Sequence, residues 1–136
     1  MAAVVVDTSV LLGVLDPDDA LHSAARAAVM DQRSSGHTLV IPSSVLAESL
    51  VGAIRQGTAV AQRVENAIDI LIDEICPIDR AIAREAANLR GQIPAIRLPD
   101  ALVIATGRAA DAVAVLTGCK RWQGIDHRIK LVTPGA

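Results

Sequence analysis

The chain has no phenylalanine and no tyrosine, and its one tryptophan is Trp122. A core must therefore come from Ala, Val, Leu and Ile, within a hydrophobic content of 51%. Such an aliphatic set suits helices layered on a sheet. Cysteine is scarce: Cys76 and Cys119 read as free thiols in a reducing compartment rather than as a disulfide framework. No apolar run approaches the ~20 residues that a membrane-spanning helix needs, so no membrane association is expected. The first residues lack a basic start and a cleavage signal, and Asp7 interrupts them early, which points to the cytoplasm. There is no glycine-rich loop to cradle a phosphate. Asp16, Asp18 and Asp19 lack the glycine and distal glutamate of a calcium loop.

Charge is near balance, with a formal net of −2, but it is unevenly spread. Residues 1–50 hold two basic and six acidic side chains, a net of −4, while residues 80–136 hold nine basic and four acidic, a net of +5. That skew either builds a positive surface beside an acidic pocket or merely decorates solvated helix faces.

With 136 residues, a single domain is the natural count. Hydrophobic patterning predicts a buried strand over Ala2–Asp7, a helix over Ala20–Asp31, and a strand over Thr38–Ile41 ended by Pro42. Ser43 or Ser44 is expected to cap a helix running to Gln56, with Gly57 as its stop. Another helix follows over Thr58–Ile72, then a strand over Glu74–Ile78. Asp79 caps a helix to Arg90, stopped by Gly91. Pro99 fits the first turn of a helix reaching Ala110. Strands over Ala112–Thr117 and Arg128–Val132 flank a loop and close the chain. The alternation implies an α/β fold with a mostly parallel central sheet and helices on both faces.

Three acids stand at the edges of apolar segments: Asp7 after Val4-Val5-Val6, Glu48 within Val45-Leu46-Ala47-Glu48, and Asp100 within Leu98-Pro99-Asp100-Ala101-Leu102. A carboxylate in such a setting is costly to desolvate unless something pairs with it. A shared Mg²⁺ or Mn²⁺ held by oxygen ligands would do so. In a parallel sheet the working edge lies beyond the strand carboxyl ends, where Asp7 and Thr117 are expected. Thr8 and Thr117 are candidate donors to these acids, and Arg97 is a candidate phosphate contact. Ser9 is either a further donor to a carboxylate or phosphate or an ordinary polar residue starting a loop, and the loop reading is favoured; His22 reads as structural. Trp122, beside Lys120 and Arg121, is either packed or a platform for a base, and packing is favoured.

The segments Val4-Val5-Val6-Asp7-Thr8-Ser9, Ile41-Pro42-Ser43-Ser44-Val45-Leu46-Ala47-Glu48 and Leu98-Pro99-Asp100-Ala101-Leu102-Val103 resemble, in order and spacing, the three acidic motifs of the PIN domain. Within it they are similar to the VapC toxins of VapBC toxin–antitoxin pairs. The resemblance spans essentially the whole chain and implies one PIN domain over 1–136, a three-layer sandwich. It further implies a cytoplasmic, Mg²⁺-dependent endoribonuclease with Asp7, Glu48 and Asp100 as catalytic metal ligands. A VapB-like antitoxin and a homodimeric state are implied as well. In a fourth motif the family places another acid; here Thr117-Gly118-Cys119 leaves Cys119 in that place. Thiolate is a poor partner for Mg²⁺, so either Thr117, Asp126 or water completes the site, or the chain is a weakly active RNA- or partner-binding protein. A haloacid-dehalogenase-like phosphatase needs a second Asp two residues after the first, where Ser9 stands. A phospho-receiver module leaves Glu48 and Asp100 unexplained.

Overall fold

The computed structural model describes residues 2–135; the two end residues of the expected 1–136 unit lie outside the described residues. Short β-branched runs form β1 (Ala3–Val6), β2 (Thr38–Pro42) and β4 (Ala114–Thr117). The edge strands are β3 (Glu74–Cys76) and β5 (Ile129–Leu131). All pairings are parallel, in the order β3-β2-β1-β4-β5, with Val5 of β1 opposite Val40 of β2 and Val115 of β4. Val4, Val5 and Val6 are each fully buried. Successive strand residues face opposite sides, so β1 is covered on both faces.

The helices are α1 (Thr8–Leu15), α2 (His22–Ser34), α3 (Ser43–Gln56), α4 (Thr58–Leu71), α5 (Arg80–Gln92) and α6 (Leu98–Ala109). Gly107 lets α6 lie close on β4: a Cβ there would sit 2.6 Å from Val115 Cγ2. From β1 the chain winds outward to β2 and β3 on one side, and β4 and β5 fill the other. The reversal of strand order therefore falls between β1 and β4, and the carboxyl ends of those two strands flank the expected ligand crevice.

Several expectations are corrected. Helix α1 has no counterpart in the sequence reading. Its residues Val10, Leu11, Leu12, Val14 and Leu15 are apolar almost all round, so no polar face marks a helical period. Neither Ser43 nor Ser44 caps α3; Pro42 stands at the cap position and Ser43 is already helical. Gly91 lies within α5 rather than ending it. β3 stops at Cys76 instead of Ile78, because Pro77 has no N–H to continue a ladder. The Asp79 cap is present, its Oδ1 accepting from Ile82 N at 2.9 Å. Gly57 ends α3 with φ +131°. No helix among the described residues is long and apolar enough to cross a membrane.

Candidate active site

Asp7 follows β1 at the point where strand order reverses. Its backbone N–H donates to Leu116 O of β4 at 2.9 Å, tying it across the crevice. It also occupies the N-cap position of α1, but its side chain makes no cap hydrogen bond. The carboxylate is engaged elsewhere: the hydroxyls of Ser9 and Thr117 both donate to Oδ2, each at 2.9 Å. Thr117 Oγ1 in turn accepts from Cys119 N at 3.1 Å, and Ser9 Oγ accepts from Gly118 N at 3.0 Å. Ser9 is thus part of the site, against the sequence reading of it as a loop residue. The unread helix α1 is what turns it back toward Asp7. Gly118 packs closely here, since a Cβ there would lie 3.2 Å from Leu21 Cδ2 and 3.4 Å from Ser9 Oγ, tighter than an ordinary contact.

Asp7 is 7% exposed. Burial pushes its carboxyl above the ordinary carboxylate value. The Thr117 and Ser9 hydroxyls and the Thr8 backbone N–H pull the other way without cancelling the rise, and the Asp100 charge adds to it. A carboxylate so placed is stabilised in its ionised form by a nearby cation.

Glu48 of α3 and Asp100 of α6 face the same cleft, which also takes in Thr8, Ser9, Arg97 and Cys119 and has a volume of ≈ 450 Å³. Thr8 Oγ1 donates to Glu48 Oε1 at 3.0 Å. Arg97 Nε donates to Asp100 Oδ2 at 3.3 Å. The cleft gathers the three acids and their nearest candidate partners: Asp7, Thr8, Glu48, Arg97 and Asp100 line it, and Thr117 donates to Asp7. The donor set is carboxylate and hydroxyl oxygen, the chemistry that a hard divalent cation takes. Among the described residues no three His, Cys, Asp or Glu are grouped tightly enough to form a ligand set as they stand. Thr8 holds the Glu48 carboxylate and Arg97 the Asp100 carboxylate, each at its own wall of the cleft.

Two fourth-ligand candidates part ways. Thr117 touches Asp7. Asp126 is turned away from the cleft and accepts from Arg108 Nε and from Arg128 N, both at 2.8 Å, so it is withdrawn as a ligand. Trp122 is 2% exposed, which makes it a packing residue and removes it as an open stacking platform. His22 is structural as expected, its Nδ1 lying 2.8 Å from Gly13 O. Residues the sequence did not flag, Leu12, Asp19 and Leu21, complete the cleft wall. The charge skew resolves in part: Arg108 and Arg128 are taken up by Glu85, Asp126 and Asp111, whereas Arg97 and Arg121 remain beside the acidic cleft.

Residues 4–127 match the family model described as the PIN domain. No curated protein matches the chain. The fold is similar to a chain of a toxin–antitoxin complex from Klebsiella pneumoniae, at 24% identity and a TM-score of 0.75, covering 97% of this chain and 98% of that one. It is similar to a chain of VapBC2 from Rickettsia felis bound to a promoter DNA fragment, at 16% identity and a TM-score of 0.75, covering 95% and 98%. It is also similar to Mycobacterium tuberculosis VapC20, a toxin described as cleaving the sarcin–ricin loop, at 19% identity and a TM-score of 0.64, covering 82% and 86%.

Proposed function

Because the chain belongs to the PIN-domain family, we propose that it is the toxin of a VapBC-type pair, a single PIN unit over 1–136 that hydrolyses RNA phosphodiesters as a divalent-metal-dependent endoribonuclease. The observation that carries this reading is that Asp7, Glu48 and Asp100, from three separate elements, line one cleft at the reversal of strand order. The similarity to toxin–antitoxin structures and to an RNA-cleaving toxin supports it.

Asp7, Glu48 and Asp100 would hold Mg²⁺, or Mn²⁺, which when bound supplies Lewis acidity toward water and toward the phosphate. Ser9 and Thr117 fix the Asp7 carboxylate in one orientation. Thr8 does the same for Glu48. Such outer partners orient a ligating group and restrict its motion. Arg97 is 68% exposed, so its pairing with Asp100 is weak in water, and its guanidinium would exchange that carboxylate for an RNA phosphate.

An antitoxin segment fits the groove between α1, α3 and α4, lined by Leu12, Leu15, Glu48, Val60 and Val64, where a basic side chain would meet Glu48. A homodimer has exposed apolar side chains to use in Val51 and Ile54 of α3 and Ile70 of α4.

The test is incubation of purified protein with total cellular RNA in Mg²⁺, in Mn²⁺ and in chelator, beside an Asp7→Asn control, with new ends mapped. New ends that require metal and Asp7 support the reading; cleavage indifferent to chelator and to the substitution overturns it. Cys119 in the cleft favours a second reading, a PIN-fold protein that binds RNA or a partner and cleaves weakly. Cys119→Asp separates the two: a large gain in cleavage on restoring the acid favours the weakly active reading, and little change favours the enzyme.

A further inference from the structure

Beside the cleft lies a smaller pocket of ≈ 240 Å³, whose walls include Ile93, Ile96 and Ile125, with Trp122 among them and Arg97 and Arg121 bringing the charge. It shares Arg97 and Asp100 with the cleft, so the two adjoin at that pair. A ligand with its reacting group in the cleft meets this pocket as its next contact.

The pocket combines apolar walls with guanidinium groups. That pairing suits a group that is flat and apolar on its faces, carries acceptors on its edge, and is joined to a phosphate. Trp122 contributes part of the apolar wall, its ring held in place by packing at 2% exposure. The pocket has room for one ring system rather than for a helix.

We propose that this pocket takes one unstacked base of the RNA strand, next to the phosphate held in the cleft, with the exposed Arg121 guanidinium stacking over it. It would be the place where the protein discriminates among sequences. This inference rests on the ribonuclease reading above.

The test is an abasic scan. A short single-stranded RNA spanning a mapped cleavage site is made with each nucleotide in turn lacking its base, and binding to the full chain is measured by fluorescence anisotropy in chelator, which prevents turnover. One position flanking the cleaved bond is expected to weaken binding about 5- to 10-fold, in the range that single-base stacking contributes. Ala95→Leu, which narrows the pocket from its exposed rim, and Arg121→Ala, at a solvent-facing side chain, are each expected to bring the ratio of intact to abasic affinity at that position close to one. A flat scan on an RNA that the wild type cleaves, or a ratio unchanged in both variants, overturns the pocket and leaves the ribonuclease reading standing. Failure to cleave any RNA overturns both. A flat scan combined with loss of self-association in Ala95→Leu, read by sedimentation, assigns the pocket to a second copy of the chain and also overturns the proposal.

Discussion

The two ends of the central sheet treat their acids in opposite ways. At the carboxyl ends of the strands, Asp7 is buried and held by two hydroxyls. At the amino ends of β4 and β5, Asp126 is partly buried and held by guanidiniums, with Arg108 and Arg128 against it and with Glu85 and Asp111 completing the network. Burial alone raises a carboxyl in either place. At Asp126 the Arg108 and Arg128 contacts overcome it and carry the carboxyl below the ordinary value. At Asp7 the hydroxyls are too weak to do so, and the value stays raised. An acid whose charge is already balanced within the chain serves stability. An acid oriented by neutral donors and left short of positive charge is available to a cation from solution.

The sharpest way to break this contrast is to remove one acid at each end. Asp7→Asn is expected to lower RNA cleavage by more than the roughly 100-fold that loss of an outer partner brings, without destabilising the fold. Mapped-end assays and thermal melts on the same preparation check both halves. Thr117→Val removes one of the two hydroxyls on Asp7 and is expected to lower cleavage by about 10- to 100-fold in metal titrations. At the opposite end, Arg108→Met leaves the enclosed Asp126 short of a partner and is expected to cost about 1–3 kcal/mol in urea unfolding, with cleavage unchanged in the folded protein. A variant pair with these effects exchanged would erase the distinction.

Acid provides a finer test, because the two carboxyls respond with opposite signs. The folded-state value of Asp7 lies above its ordinary value of 3.8, so at neutral pH its ionised form costs stability. That cost shrinks as pH falls through the folded value and is gone below the ordinary one, so the melting advantage of Asp7→Asn over wild type is expected to narrow on acidification. The folded-state value of Asp126 lies below 3.8, so its contribution is present above that pH and is lost as pH falls through the folded value. The deficit of Asp126→Asn is therefore expected to close only at the acid extreme. The smallest effect belongs to Arg97→Ala: free of its competing guanidinium, Asp100 is expected to bind Mn²⁺ a few-fold more tightly by calorimetry, while RNA affinity declines.

The strands and the three acids were legible because each acid interrupts an apolar run, and an uncompensated charge among aliphatic residues is conspicuous in one dimension. That Thr8, Thr117 and Arg97 come to the cleft or to its acids was legible because they lie within three residues of an acid or end a strand. Ser9 was not, since its value depends on α1, and α1 has no polar face to betray its period. Asp126 stayed open as a ligand for a related reason: its position two residues before Arg128 is visible in the sequence, but Arg108, which also claims it, lies on α6, far back in the chain. Trp122 was read correctly as packed, because a lone large apolar ring in an aliphatic chain is usually core.

Local chemistry along the chain set which segments extend or coil, which face of each is buried, and which acids stand at the edges of apolar runs. Periodicity, turn residues and burial cost act over a few neighbours and can be read in order. Which acids share a wall, which arginine neutralises which carboxylate, and that an aliphatic pocket opens beside the acidic cleft depended on how parallel strands reverse their order around β1 and β4. Charge balance and close approach are set by distances between elements far apart in the chain, and those distances exist only once the sheet has assembled.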